Sequence, residues 1–266
     1  MWRALLVILA LVSTGKPSVA RDCTGSDDYL SNGAAVATAV PITMACWFNS
    51  DSATAAQVLM CLGASDNRFT LAAMGSVAGD PVRVTSVTGG TAVTADTTTG
   101  YTAGTWHHGC AVFASTTSRT AYIDGGSSAS NTDLNVPLLV DKTHLGVNNL
   151  ITGDTDGRIA EAAIWDVALT AAEVATLAKG YSPLFVRPSS LLAYWPLIGN
   201  QSPEIDWVGG FDLTITGTVD KAAHPRIIYP RTFKTGAPAA AAFDAALFPW
   251  LVTNSPVLQR TEVVSY

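Results

Sequence analysis

The chain has 266 residues, enough for one large β-domain or two smaller ones. Only 14% of the residues are charged, and the mean hydropathy is +0.28, which is the composition of a folded chain rather than a disordered one. Lysine and arginine total 15 against 21 acidic residues, a net charge of −6, which argues against the basic stripe that a nucleic-acid surface needs.

Residues 1–20 read as a secretory signal peptide. Arg3 supplies the positive start, residues 4–12 the apolar centre, and Ser18-Val19-Ala20 a small-residue cleavage site. The run is too short to span a bilayer comfortably. Cleavage would leave Arg21 at the start of a secreted chain with no membrane span. The other reading is an apolar strand or peg retained at the N-terminus.

Residues 22–30 read as a first strand, closed by the turn residues Ser31-Asn32-Gly33. Residues 42–48 form an apolar central strand. Residues 57–62, 68–74 and 83–87 are further short strands, punctuated by Thr88-Gly89-Gly90 and Gly100. Residues 106–113 and 120–123 make an antiparallel pair, and Asp124-Gly125-Gly126 is a tight turn because glycine accepts positive φ. Strands over 143–147 and 158–165 come next.

A short helix then opens. Thr170 is its N-cap and Glu173, three residues on, completes a capping box. Leu169 and Val174 close a hydrophobic staple, Gly180 ends the helix and Pro183 stands just beyond. Residues 191–196 and 211–216 return to strand. Short strands with glycine-rich turns at this spacing predict an all-β sandwich or jelly roll with one short helix.

The last stretch, 221–266, has prolines at 225, 230, 238, 249 and 256 and little alternation. It also carries Phe243, Leu247, Phe248, Trp250 and Leu251. Such a Pro/Ala-rich arm either straps onto its own domain or docks on a neighbouring subunit. The organisation expected is 1–20, a domain over 21–220, and an arm over 221–266.

Four motifs occur in order: Thr43-Met44-Ala45-Cys46-Trp47-Phe48, Trp106-His107-His108-Gly109-Cys110-Ala111-Val112-Phe113, Tyr122-Ile123-Asp124-Gly125, and the stretch from Gly157 to Val174. Together they resemble the laminin G-like, concanavalin A-like lectin/glucanase family. The resemblance implies a concanavalin A-like jelly-roll β-sandwich over about 21–220. The family includes binders, adhesion modules, phage surface proteins and some enzymes, so fold alone does not settle function.

Several side chains are candidates for chemistry. Tyr101, Trp207 and Phe211 are loop aromatics that could stack on the apolar face of a pyranose. Trp47, Trp106, Trp165 and Trp195 lie in strand motifs and read as core. Asp154 and Asp156 place two alternating carboxylates in a turn, a candidate pair of calcium ligands that Asp27 and Asp28 could join. Many members of the resembled fold carry calcium; the competing reading is a solvated turn.

Other constellations point away from chemistry. Glu204 and Asp206 look like the start of the acidic motif of laminarinase-like glycosidases. Val208 and Gly209 stand where its last carboxylate should be, so the two-carboxylate mechanism is not satisfied. Adjacent His107 and His108 point to opposite strand faces and cannot both reach one ion without a bulge; one should face the core with a hydrogen bond and the other face out. Cys23, Cys46, Cys61 and Cys110 fit no zinc spacing. They read as buried free thiols, although two bridges are open to a secreted chain.

No catalytic residue is therefore assigned. The expected function is a non-catalytic surface structural or interaction protein, for example a phage virion decoration or fibre component whose arm contacts neighbouring subunits. The alternative is a secreted, lectin-like carbohydrate-binding protein, with glycans as partners and an extracellular setting.

Overall fold

The computed structural model describes residues 19–24, 27–198 and 202–230. In chain order the strands are β1 (Val19–Thr24), β2 (Tyr29–Asn32), β3 (Ile42–Ser50), β4 (Ala56–Ala64), β5 (Asn67–Met74), β6 (Pro81–Thr88) and β7 (Thr91–Gly100). They continue with β8 (His107–Ser115), β9 (Ser118–Ile123), β10 (Gly126–Asn131), β11 (Lys142–Leu145) and β12 (Asp156–Trp165). After helix α1 (Ala171–Ala178) come β13 (Leu191–Trp195), β14 (Thr214–Thr216) and β15 (Asp220–Ala223). One sheet has the order β10-β9-β8-β3-β12-β1-β15, with β13 also on β12; the other has the order β14-β2-β11-β4-β5-β6-β7. The two antiparallel sheets form the expected sandwich.

Most expected strands are present. The stretch 22–30 differs, because it splits into β1 and β2, which join different sheets. Asp27 turns the chain at φ +72°. Asp28 fixes the turn by accepting from the Thr24 N–H, the Thr24 hydroxyl and the Thr218 N–H. Nothing in the apolar pattern marks β7 and β10. Both are edge strands rich in Thr or Ser and Gly, and pairing with the neighbour sets their register.

The main core lies between the sheets. Alternate residues point into it, among them Met44, Phe48, Leu62, Phe69, Leu71, Val84, Phe113, Ile159 and Trp195. Phe69 meets Phe113 edge to face at 4.9 Å. A second cluster covers the outer face of the first sheet, where Trp165, Leu169, Val174, Leu177 and Tyr194 pack on Ala45, Cys110 and Val112. Trp165 and Trp195 are buried as expected, whereas Trp47 and Trp106 are half-buried.

Helix α1 belongs to that outer layer, and its sequence signals match its geometry. The Glu173 N–H donates to Thr170 Oγ1, and Glu173 Oε2 accepts from the Thr170 N–H at 2.8 Å. Leu169 and Val174 are both buried, and Gly180 leaves the helix at φ +84°. At the other end of the contact Gly125, at φ +76°, lies against Ala175 and Ala178, where a Cβ would come within 2.8 Å of Ala175 Cα.

The described chain ends meet at one edge. Val19 pairs with Ala223 and Ala20 with Ala222, so the strand begins before the expected cleavage point and buries Ala20. Residues 224–230 then cross the outer face of the first sheet. Glu161, 3% exposed and at φ +55° in a bulge of β12, receives them. Its carboxylate accepts from the hydroxyls of Tyr194 at 2.5 Å and Tyr229 at 2.6 Å, with His224 Nε2 at 3.3 Å. The start of the expected arm is thus a strap on its own domain. The arm's remainder, 231–266, and the apolar residues 1–18 lie outside the described residues.

Candidate functional site

Strand alternation fixes what the outer face of the seven-stranded sheet presents. Leu30, Leu62, Leu71, Val84, Ala95, Leu145 and Leu213 turn inward, so their neighbours turn out. Matching the registers places one outward residue from each strand in a single row: Thr214, Ser31, His144, Cys61, Thr70, Thr85 and Thr94. Five of the seven carry a hydroxyl. Charges stand to the sides of the row: Lys142 and Arg68 on one side, and the Arg83–Asp96 pair, bidentate at 2.6 and 2.7 Å, on the other. Among the described residues no helix covers this face.

The third residue of the row holds an unsatisfied donor or acceptor. His144 is 4% exposed, and its Nδ1 has no hydrogen-bond partner. Burial pushes its imidazole below the usual histidine range, and Lys142 adds to this. Tyr29 lies beside it, with ring centroids 6.2 Å apart. The loop before β12 borders the row. Asn149 lies over Gly63, donates to the Ser65 carbonyl at 2.8 Å, and leaves no room for a side chain at position 63. Cys61, Thr70 and His144 are buried, whereas Ser31, Thr85 and Thr94 are half-buried and Thr214 is exposed, so the accessible hydroxyls flank a buried stretch of the row.

The aromatic residues expected to bind do not lie on this face. Tyr101 is 4% exposed, because its ring packs edge-on against Phe48 at 5.6 Å and its hydroxyl donates to the Ser52 carbonyl at 2.8 Å. It is a core residue rather than a free platform. Trp207 is half-buried against Tyr194 at 5.7 Å and Tyr229 at 6.4 Å, in the layer outside the other sheet. Phe211 packs on the main core, and its carbonyl accepts from Trp195 Nε1. Both placements stem from Asp206, whose carboxylate gathers the N–H groups of Tyr194, Val208, Gly209 and Phe211.

Asp206 therefore organises a loop. Glu204 is buried against Arg21, which donates through Nε at 2.9 Å. Burial raises both carboxyls, against the pull of Arg21 on Glu204 and of the N–H groups on Asp206.

Asp154 and Asp156 sit at the rim between the sheets. Asp154 Oδ1 is buried without a partner, and burial, aided by the charges of Asp27 and Asp28, raises its carboxyl. Asp156 is exposed at the start of β12, and Asp28 is already engaged by Thr24 and Thr218. Among the described residues no three His, Cys, Asp or Glu side chains stand close enough together to hold a metal.

The histidine pair divides otherwise than expected. His107 Nδ1 meets Asp124 at 2.7 Å and Nε2 accepts from the Thr102 N–H, so the proton sits on Nδ1. The buried ring is His108, edge-on to Trp47, and its Nδ1 has no partner. The four cysteines are free and buried. Burial pushes the Cys23 and Cys61 thiols up to about 12, and Cys46 and Cys110 higher still.

Two packed antiparallel sheets with one outer helix define a concanavalin A-like β-sandwich. Residues 24–175, more than half of the chain, match the Laminin_G_3 model of the concanavalin A-like lectin/glucanases superfamily, and the chain belongs to that family. No curated protein matches it. The native heptameric SAP-like pentraxin of Limulus polyphemus superposes with a TM-score of 0.57 at 12% identity, over 78% of this chain and 96% of that one. A candidate carbohydrate binding protein of Bacteroides ovatus gives 0.57 at 18% identity, over 80% and 62%. The chain thus spans less than two thirds of the Bacteroides protein, and at these identities the likeness is one of fold.

Sequence reasoning missed the polar row. Its members are ordinary strand residues when read singly, and only the pairing of seven strands lines them up.

Proposed function

We propose that this protein is a non-catalytic glycan-binding module that takes an extended, neutral oligosaccharide along the outer row of the seven-stranded sheet. The observation that carries this reading is the row itself, in which the accessible hydroxyls of Thr214, Ser31, Thr85 and Thr94 flank buried His144, Cys61 and Thr70, and the imidazole has an unpartnered nitrogen. Six gaps of about 4.8 Å between strands make a path of about 29 Å. That length suits a chain of several sugars better than a single terminal one. Glu204 and Asp206 are both committed to structural contacts, which favours binding over turnover. The family includes lectins, which also favours this reading. An extracellular setting rests on the signal-like sequence of residues 1–20 alone, because β1 already starts at Val19 and buries Ala20.

The alternative role, a virion decoration or fibre component joined to neighbouring subunits by 221–266, has less in its favour. The described part of that stretch packs on its own domain. Calcium enters as a variable of the test, since Asp154 and Asp156 stand at the end of the loop that borders the row.

The test titrates the full chain with neutral oligosaccharides of two to six sugars, with calcium and with chelator. Affinity should climb with length and fall at least tenfold in Thr85→Arg, which blocks the row, while Trp207→Ala leaves it unchanged. Absence of binding to any neutral glycan, or binding indifferent to Thr85→Arg, sinks the proposal. Loss of binding with chelator would assign the rim carboxylates instead.

A further inference from the structure

The strap over 224–230 ends on an apolar patch. Ile228 bridges Tyr181 in parallel; its N–H donates to the Gly180 carbonyl at 2.7 Å, and its own carbonyl accepts from the Ser182 N–H at 3.0 Å. The Tyr181 ring meets Phe185 edge to face at 5.8 Å. Tyr181, Phe185 and Ile228 remain 38%, 45% and 46% exposed. Large apolar side chains grouped in this way on a surface mark a contact site.

We infer that this patch is the seat of the chain's own segment 243–251. Three observations support that occupant. First, the patch continues an interface already formed: β15 on β1, then Tyr229 on Glu161, then Ile228 on Tyr181. The described chain stops at Pro230, two residues beyond Ile228, so the remaining residues leave from the patch itself. Second, the chemistry matches. Residues 243–251 supply Phe243, Leu247, Phe248, Trp250 and Leu251, and aromatic rings pair well with the exposed Tyr181–Phe185 edge. Third, charge agrees. Asp244 is the only charged residue between 235 and 259, and Lys179 and the exposed Arg226 each stand two residues from a patch member.

Reach favours the same chain over a second copy. The tether 231–242 extends at most about 40 Å, ample for a return to its own root. Closing a loop of that size costs little more than closing a shorter one, and the tether keeps the segment at roughly millimolar local concentration. Leu138 and Leu139, also exposed, line a cavity of about 600 Å³, but no described interface leads to it. The inference is independent of the glycan reading, which concerns the other sheet.

Photo-crosslinking on the full chain tests it, with a benzoylphenylalanine in place of Phe185. The expected result is an adduct within 243–251 at monomer mass. In parallel, hydroxyl-radical labelling of Tyr181 should rise several-fold in the Phe248→Ser/Trp250→Ser double variant, with Leu138 and Leu139 unchanged. An adduct at dimer mass overturns the same-chain assignment in favour of arm exchange. Absence of any adduct to 243–251, or labelling of Tyr181 that the double variant does not alter, overturns the seat.

Discussion

Replacing Glu161 with alanine should destabilise the fold by about 3–5 kcal/mol. The carboxylate is 3% exposed and accepts two tyrosine hydroxyls, at 2.5 and 2.6 Å. Hydrogen bonds to a charged group contribute roughly 1.5–3 kcal/mol each, so the pair sets the scale, and the longer His224 contact adds less. Alanine also strands the buried Tyr194 hydroxyl, leaving it Ser182 Oγ at 3.3 Å. The backbone sharpens the test. Position 161 sits at φ +55°, a region that costs a non-glycine residue roughly 1–2 kcal/mol. Glu161→Gly loses the same bonds but relieves that strain, so it should be about 1 kcal/mol less damaging than Glu161→Ala. In an ordinary strand the ranking is reversed, with glycine worse by roughly 0.5–1 kcal/mol. Urea unfolding followed by tryptophan fluorescence measures the series, provided the slope stays constant. An alanine variant within 1 kcal/mol (about one hydrogen bond) of the parent, or a glycine variant worse than alanine, refutes the reasoning.

Other buried groups set further outcomes. Burial lowers His108 to about 4, despite the charge of Asp124, so the unfolded chain takes up a proton that the folded one refuses. Stability should then fall as pH drops from about 6.5 towards 4, by up to roughly 3 kcal/mol, and His108→Phe should flatten that limb. His224 has the opposite sign. Burial lowers it, but Glu161 and the carbonyls of Pro225 and Pro196 raise it overall, so its contribution is full below the unfolded value near 6.5 and fades as pH rises through the folded one. His224→Gln should remove that alkaline-side loss in the same unfolding titration. Gly125→Ala should cost about 2–4 kcal/mol in thermal melts, combining the φ penalty with the Ala175 clash; an unchanged midpoint contradicts the helix packing. A thiol reagent at pH 8 should modify the native cysteines slowly and all four rapidly in urea, since their pKa values are raised by burial.

Local signals carried much of the architecture. The capping box at Thr170 and Glu173 and the stop at Gly180 are chemical features of adjacent residues, so the helix was legible to within a residue. The apolar runs of β3, β8 and β12 were legible because both faces of these strands are covered, one by the other sheet and one by the helical layer. The polar edge strands β7 and β10 had no such pattern. Loop aromatics misled for a related reason. Nothing near Tyr101 in sequence shows that its ring meets Phe48, over fifty positions upstream. Glu161 was invisible too, since a carboxylate within an apolar strand betrays its bulge only through distant partners on β13 and the strap.

The bulge at Glu161 also divides the pairing of β12 and gathers the described chain ends on one side of the domain. β12 gives its first half to β1 and its second half to β13 along the same edge, and the division falls at the bulge, where the Glu161 N–H donates to the Pro196 carbonyl. The described ends of the chain gather at that edge: Val19 pairs with Ala223, and His224 and Tyr229 close on the carboxylate. Strap and helix α1 both lie with the eight-stranded sheet. The polar row lies on the far side of the sandwich, a full core thickness away. A domain held through either of its described ends would therefore present the row outward, free of the strap, which is the disposition an extended ligand requires.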